Sequence, residues 1–228
     1  MKLVIFDCDG TLVDSQDMIL AAMRQAYVTH GIPVPARETL LSIVGLSLTE
    51  AFTTLGNGAE RFPVASLAEQ YKLAFHAMRE TGEHMEPLYP GAMEAVAALA
   101  RRDDVVLGIA TGKSQRGVRV VLGHHGLLDH FITIKTADDA PSKPDPGMVL
   151  AAMRDAGVGA ADTVVVGDTV YDIAMARAAG ATAIGVAWGY HSHAALEEAG
   201  AALVIDDFAA LVPALDAMWA TPRHATPA

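Results

Sequence analysis

Cysteine is all but missing from this chain: Cys8 is the only one in 228 residues, so no internal disulfide can form. Basic residues are also in short supply, with 16 Lys and Arg against 27 Asp and Glu, for a formal net charge of -11. A field of that sign repels nucleic acid and anionic lipid, which excludes both as expected partners. Any anionic substrate must then be met by a local cation. No long apolar run occurs, and the opening MKLVIFDCDG lacks the hydrophobic stretch of a signal peptide or a membrane span. The expectation is a cytoplasmic protein with no membrane partner. The hydrophobic share of 52% is ample for a buried core in one large domain, or in one domain with a smaller insert.

Short apolar runs rich in Val and Ile recur at KLVIF, VVLGIA, FITI, TVVVG, TAIGVAW and ALVI, separated mostly by Ala-rich stretches that favour helix. This alternation predicts an α/β fold, a Rossmann-like parallel sheet covered by helices. About a hundred residues separate Phe6 from Val105, against the dozen or so that a crossover needs. The excess reads as helix throughout. SQDMILAAMRQAYVTHG stops at Gly31 with Pro33 and Pro35 beyond, SLTEAFTTLG carries a Ser47 to Glu50 capping pattern and ends on Gly56, and VASLAEQYKLAFHAMRETG follows. Residues 15–82 are therefore predicted to form a helical cap domain inserted into an α/β core made of residues 1–14 and 83–228. The linkers fall at Asp14–Ser15 and at Glu83 to Tyr89, side by side, as in a hinge. The tail WATPRHATPA, residues 219–228, reads as disordered.

The first strand runs straight into FDCDGTLVDS, where Asp7, Asp9 and Asp14 crowd around a Gly-Thr turn. Acids this close repel unless a cation or a proton lies among them. Ligands of doubly wound sheets bind beyond the carboxyl ends of the strands. The residues there are Asp7, Asp9 and Thr11 after the first strand, Thr111, Gly112 and Lys113 after the second, Lys143 beyond FITI, and Asp168 and Asp172 after TVVVG. Carboxylates for a metal and for attack, a hydroxyl donor and a fixed cation are what phosphoryl transfer requires.

DCDGT, ATGK, KPDP and GDTVYD stand in the order and approximate spacing of the four motifs of the haloacid dehalogenase superfamily, and LYPGAMEAVAAL resembles that family's first core helix after a cap. The chain is similar to the capped phosphatase branch, and within it to phosphoglycolate phosphatase-like proteins, over nearly its whole length. The resemblance implies a hydrolase of small phosphorylated metabolites. Asp7 would be the nucleophile that becomes an aspartyl phosphate, and Asp9 would protonate the leaving oxygen and then activate water. Mg²⁺ would be held by Asp7, the carbonyl of Asp9 and Asp168, with Asp172 acting through water or as an orienting neighbour. Thr111 and the Gly112 amide would hold phosphoryl oxygens. Lys143 would neutralise charge and orient Asp7, while Gly10 and Thr11 shape the turn that aims Asp9. Two unit charges at 4 Å repel by roughly 4 kcal/mol at an effective dielectric near 20, so a carboxylate attacking a phosphate dianion needs such neutralisation.

Plainer roles stand beside these. Lys143 could be an exposed loop lysine and Asp172 a helix cap. Cys8 points away from its two acidic neighbours and reads as a core residue. His191 and His193 either border the site or lie in a loop, and His124 and His125 read as helix-end surface. A sugar-phosphate mutase of the same superfamily carries an acid where Gly167 stands, and a dehalogenase does not keep the acid at Asp9. A receiver-type signalling module has no cap and pairs its first acids directly. Specificity is expected from the cap, with VGLSLTE at residues 44–50 reaching into the site through Gly45 and Ser47. Arg116, Arg37 and His76 are candidate partners for a substrate carboxylate. 2-Phosphoglycolate is the first candidate substrate, with other small phosphate monoesters and pyrophosphate open.

Overall fold

In the computed structural model, which describes residues 1–81 and 86–220, six strands form one sheet: β1 (Lys2–Phe6), β2 (Val105–Thr111), β3 (Phe131–Thr136), β4 (Thr163–Gly167), β5 (Thr182–Val186) and β6 (Leu203–Ile205). All pair in parallel in the order β3-β2-β1-β4-β5-β6. The order reverses beside β1, whose neighbours are β2 on one side and β4 on the other. That reversal opens the crevice in which doubly wound sheets bind ligands. All six apolar runs became strands, because a strand buried on both faces needs continuous Val and Ile rather than an alternating pattern. In β1, Val4 and Phe6 face one core cluster while Leu3 and Ile5 face the other. Cys8 continues the first set and is buried in it, so its side chain is part of the core.

Core helices cover both faces. They are α5 (Ala92–Ala100), α6 (Gln115–His124), α7 (Gly147–Ala156), α8 (Val170–Ala178), α9 (His193–Ala199) and α10 (Leu211–Ala220), named here after the four that precede them in the chain. Those four, α1 (Gln16–Thr29), α2 (Arg37–Leu41), α3 (Leu48–Gly56) and α4 (Val64–Thr81), lie between β1 and α5 and share an apolar cluster of their own. Tyr27, Phe52, Tyr71 and Phe75 chain through that cluster, with centroid separations of 6.2, 6.4 and 5.6 Å in that order. The two passages between layers run together: the Asp14 amide donates to the Pro87 carbonyl at 2.8 Å and the Tyr89 amide to the Leu12 carbonyl at 3.0 Å.

Helix α3 ends on Gly56 as expected, with Asn57 in the left-handed conformation after it at φ 44°. Two expectations need adjusting. Trp219 and Ala220 are not part of a disordered tail but the last residues of α10, where Trp219 packs on the core and lies 5.1 Å beneath the Arg102 guanidinium. His125 is half-buried, with its Nε2 2.7 Å from the Glu86 carbonyl oxygen. Residues 221–228 and Glu83 to Met85 of the second linker lie outside the described residues.

Phe52 is fully buried at the centre of the aromatic chain. Phe52→Ala is expected to cost about 3–5 kcal/mol, the range for emptying a buried aromatic site. A urea titration followed by circular dichroism checks this; a loss below about 1 kcal/mol would show that the helical layer does not depend on Phe52.

Candidate active site

The ends of β1 and β4 lie side by side, with Phe6 opposite Val166 and the Asp7 amide donating to the Val166 carbonyl at 2.9 Å. Asp7 and Asp168, each one residue past its strand, therefore meet across the crevice. Asp172 joins them from the first turn of α8, where Thr169 is the N-cap and the two side chains form a reciprocal capping box. The three carboxylates each offer an oxygen within 4.8 Å of the others, and all three residues are buried. Asp172 is thus both cap and cluster member. Lys143 is the fourth member, only 1% exposed, with Nζ 2.7 Å from Asp7 Oδ1 and 2.6 Å from Asp172 Oδ1. It is not an exposed loop lysine.

Burial and the neighbouring charge of Asp172 push the Asp7 carboxyl up to about 6 despite the opposing ammonium of Lys143. Burial, then Asp172 and Asp7, raise Asp168 well above the usual carboxylate range, although the Tyr190 amide and the Thr11 hydroxyl donate to it at 2.9 Å each. Burial by itself would lower Lys143, but Asp172 and Asp7 outweigh it and keep the ammonium above the ordinary lysine range. The backbone packs tightly around this cluster. A Cβ on Gly10 would stand 2.3 Å from Asp168 Oδ2, and Gly10 also holds φ at +86°. A Cβ on Gly167 would stand 2.3 Å from the Asp172 side chain.

The residues fit a divalent cation. Both carboxylate oxygens of Asp7 are buried and, among the described residues, neither accepts a well-aligned hydrogen bond, although Lys143 Nζ stands 2.7 Å from Oδ1 and the Thr111 hydroxyl also acts on the carboxyl. Three carboxyl groups stand against one ammonium in a buried space, and an all-oxygen donor set suits Mg²⁺, Mn²⁺ or Ca²⁺.

A second charged group surrounds Asp9. Its carboxylate accepts from the Ser15 hydroxyl at 2.6 Å and from Lys113 Nζ at 2.7 and 3.1 Å. Lys113 also pairs with Glu86 at 3.0 Å, and Glu86 pairs with Arg79 of α4 at 2.6 Å. Both cations lie over the ring of Phe75, at 5.0 and 4.8 Å from its centroid. Asp9, Lys113, Glu86 and Arg79 thus form an alternating line whose charges cancel. Sequence reasoning placed Lys113 on the rim without a partner and passed over Ser15, Glu86 and Arg79. The spacing of DCDGTLVDS held a signal for Ser15, which opens α1 beside the turn; nothing in the sequence links Glu86 to Asp9.

Above these groups lies a cavity of about 520 Å³, walled on the sheet side by Asp7, Asp9, Thr111, Gly112 and Lys113 and on the other by α1, α3, α4 and the loop at residues 43–48. That loop comes close: a Cβ on Gly112 would stand 2.5 Å from the Gly45 carbonyl oxygen and 2.6 Å from that of Leu46. Gly45 and Ser47 both line the cavity, but the Ser47 hydroxyl caps α3 by accepting from the Glu50 amide. Arg116 and His76 meet at its exposed mouth, 3.5 Å apart. Arg37 is exposed and lines no part of it, and neither do His191 and His193. His191 instead bridges layers: its Nδ1 accepts from the Val170 amide at 3.1 Å and its Nε2 lies 3.3 Å from the Ser42 carbonyl oxygen.

A doubly wound sheet with a buried acidic cluster at its switch point, beneath a helical layer inserted after the first strand, defines a phosphoryl-transfer type of site. The family model described as haloacid dehalogenase-like hydrolase matches residues 4–186, and the chain belongs to that family. It is 36% identical over 220 residues to the probable phosphatase IndB of Dickeya dadantii, covering 95% of this chain and 94% of that one. It is 32% identical over 215 residues to a phosphoglycolate phosphatase of Pseudomonas fluorescens, covering 93% of this chain and 79% of the other. A crystal structure of a hydrolase from Pseudomonas syringae superposes with a TM-score of 0.83 at 28% identity, covering 95% of this chain and 99% of that one. The chain is a phosphatase of this family.

Lys113→Met would take the shared cation from two half-buried carboxylates, leaving Asp9 with the Ser15 hydroxyl and Glu86 with Arg79. The expected cost is about 1–3 kcal/mol, with part of it recovered in Lys113→Arg. Thermal or denaturant unfolding of the two variants checks this; equal stability of Lys113→Met and the parent would remove Lys113 as the centre of the charge line.

Proposed function

We propose that the protein is a Mg²⁺-dependent phosphomonoesterase that works through an aspartyl phosphate, with residues 15–82 as its cap. The observation that carries this reading is the buried Asp7 carboxylate, which lines the cavity amid two further carboxylates and against Lys143. Asp7 attacks phosphorus in line, so that its bond to phosphorus forms as the ester oxygen leaves, and Asp9 gives that oxygen its proton. Asp9 then takes a proton from water, whose oxygen attacks the same phosphorus, freeing Asp7 and orthophosphate. Ser15 and Lys113 set the direction of the Asp9 carboxylate for both proton transfers. Thr111 and the Gly112 amide receive the phosphoryl oxygens, and Lys143 holds Asp7 in line while carrying positive charge to the centre. Asp7, the Asp9 carbonyl and Asp168, with Asp172 behind them, would hold Mg²⁺. When bound, that ion supplies the charge neutralisation that lets a carboxylate approach a phosphate dianion.

The tight fit at Gly167 supports hydrolysis over mutase chemistry, because an acid side chain at that position would collide with Asp172. The acid at Asp9 argues against dehalogenation, which uses the first carboxylate alone. The lone, buried Cys8 accords with a reducing, cytoplasmic setting. Relatives named phosphoglycolate phosphatase make 2-phosphoglycolate the reference substrate for measuring leaving-group preference.

Asp7→Asn is expected to reduce phosphate release to well below a tenth of the parent rate while the fold persists; activity at a tenth or above would exclude Asp7 as the nucleophile. Asp168→Ala is expected to raise the Mg²⁺ concentration for half-maximal activity at least tenfold, and to weaken Mg²⁺ binding in calorimetry. An unchanged metal titration would refute its role as a ligand.

A further inference from the structure

We infer that the preferred substrate is the phosphate monoester of an uncharged alcohol with an apolar, ring-bearing body, rather than of a small acid such as glycolate. The inference rests on the phosphatase reading above and concerns only the leaving group. At about 520 Å³ the cavity falls within the range of roughly 300–1,000 Å³ that holds ligands far larger than a two-carbon acid. Its chemistry divides sharply. The sheet side carries the acids, amides and hydroxyl that face the phosphoryl group. The far side holds an apolar stretch of Met23, Ile43, Val44, Ala68, Tyr71 and Phe75, with Lys72, His76 and Arg79 of α4 beside it.

The charges lead to the same leaving group. The inner cations that could pair with a substrate carboxylate, Lys113 and Arg79, are already neutralised by Asp9 and Glu86. A glycolate carboxylate entering there would meet no free positive charge, and would add a charge to a low-dielectric space at a cost that outweighs its small apolar contact. The remaining cations at the cavity, Lys72 and Arg116, are exposed at its mouth, where water and salt screen them, and Lys72 is paired with Glu69 at 2.7 Å. One donor is left over beside the apolar wall: Arg79 Nη2 is buried and, among the described residues, has no hydrogen-bond partner. A neutral acceptor on the alcohol, such as a hydroxyl or carbonyl oxygen, would complete it without adding charge. The leaving group so described fills the apolar end and offers Arg79 one oxygen.

The test compares kcat/KM for benzyl phosphate, ethyl phosphate and 2-phosphoglycolate with Mg²⁺ present. Benzyl and ethyl alcohols are leaving groups of similar basicity, so their ratio reads the cavity rather than intrinsic reactivity. The expected result is a benzyl preference of at least tenfold over both others, falling at least threefold in Ala68→Leu, which narrows the apolar end. A benzyl-to-ethyl ratio near one, or 2-phosphoglycolate as the best of the three, overturns the inference and leaves the phosphatase reading intact. A ratio in Ala68→Leu equal to that of the parent also overturns it, since the preference would then arise elsewhere. Failure of all three esters and of acetyl phosphate to release phosphate overturns the phosphatase reading itself, and the inference with it.

Discussion

Everything at the rim of this sheet depends on how three buried carboxylates are kept together. Asp7, Asp168 and Asp172 are all buried, and Lys143 is the cation that stands among them, with the Thr11 and Thr169 hydroxyls and the Tyr190 amide donating to Asp168 and Asp172. The cluster is held by covalent and backbone constraint rather than by mutual attraction. Asp7 and Asp168 are the first residues after two paired strands, and Asp172 is locked into the first turn of a helix by its reciprocal bond with Thr169. The sheet and helix stabilities that come from burying Val, Ile and Ala thus sustain a local arrangement that electrostatics alone would disperse. Gly10, Gly167 and Gly189 are part of the same device, because any side chain there would take the space of Asp168 or Asp172.

The charges around Asp9 follow the opposite rule. There two acids and two bases alternate and cancel, and the line they form passes from the first strand end through the second linker to a helix of the inserted layer. One half of the site therefore keeps an excess of acidic groups that suits a divalent cation. The other half is neutral and merges into an apolar cavity. This division gives the site a polarity: charge chemistry at the sheet, shape and apolar contact at the helices. It also places Asp9, the proton donor and acceptor of the proposed reaction, where the two halves meet.

Much of this was legible in the sequence. The six apolar runs, the helical insert and the four acidic or basic motifs are local features, set by hydrophobic periodicity and by residue types at strand ends. Because a parallel sheet places every strand's carboxyl end on one edge, listing the residues after each run already named Asp7, Asp9, Thr111, Lys143, Asp168 and Asp172. Burial explains one slip: Trp219 looked like part of a polar tail, yet it gains more by packing on the core under Arg102.

What the sequence by itself determined, then, was the chemistry of the strand ends, because parity along a strand and position after it are one-dimensional properties. Tertiary structure alone decided which charges face one another. The partnership of Lys113 with Glu86, of Glu86 with Arg79, and the closeness of Gly112 to the Gly45 and Leu46 carbonyls join segments far apart in the chain. No periodicity encodes such pairings. They arise when the helical layer folds back on the rim, and only then do a neutral charge line and an apolar cavity come into being.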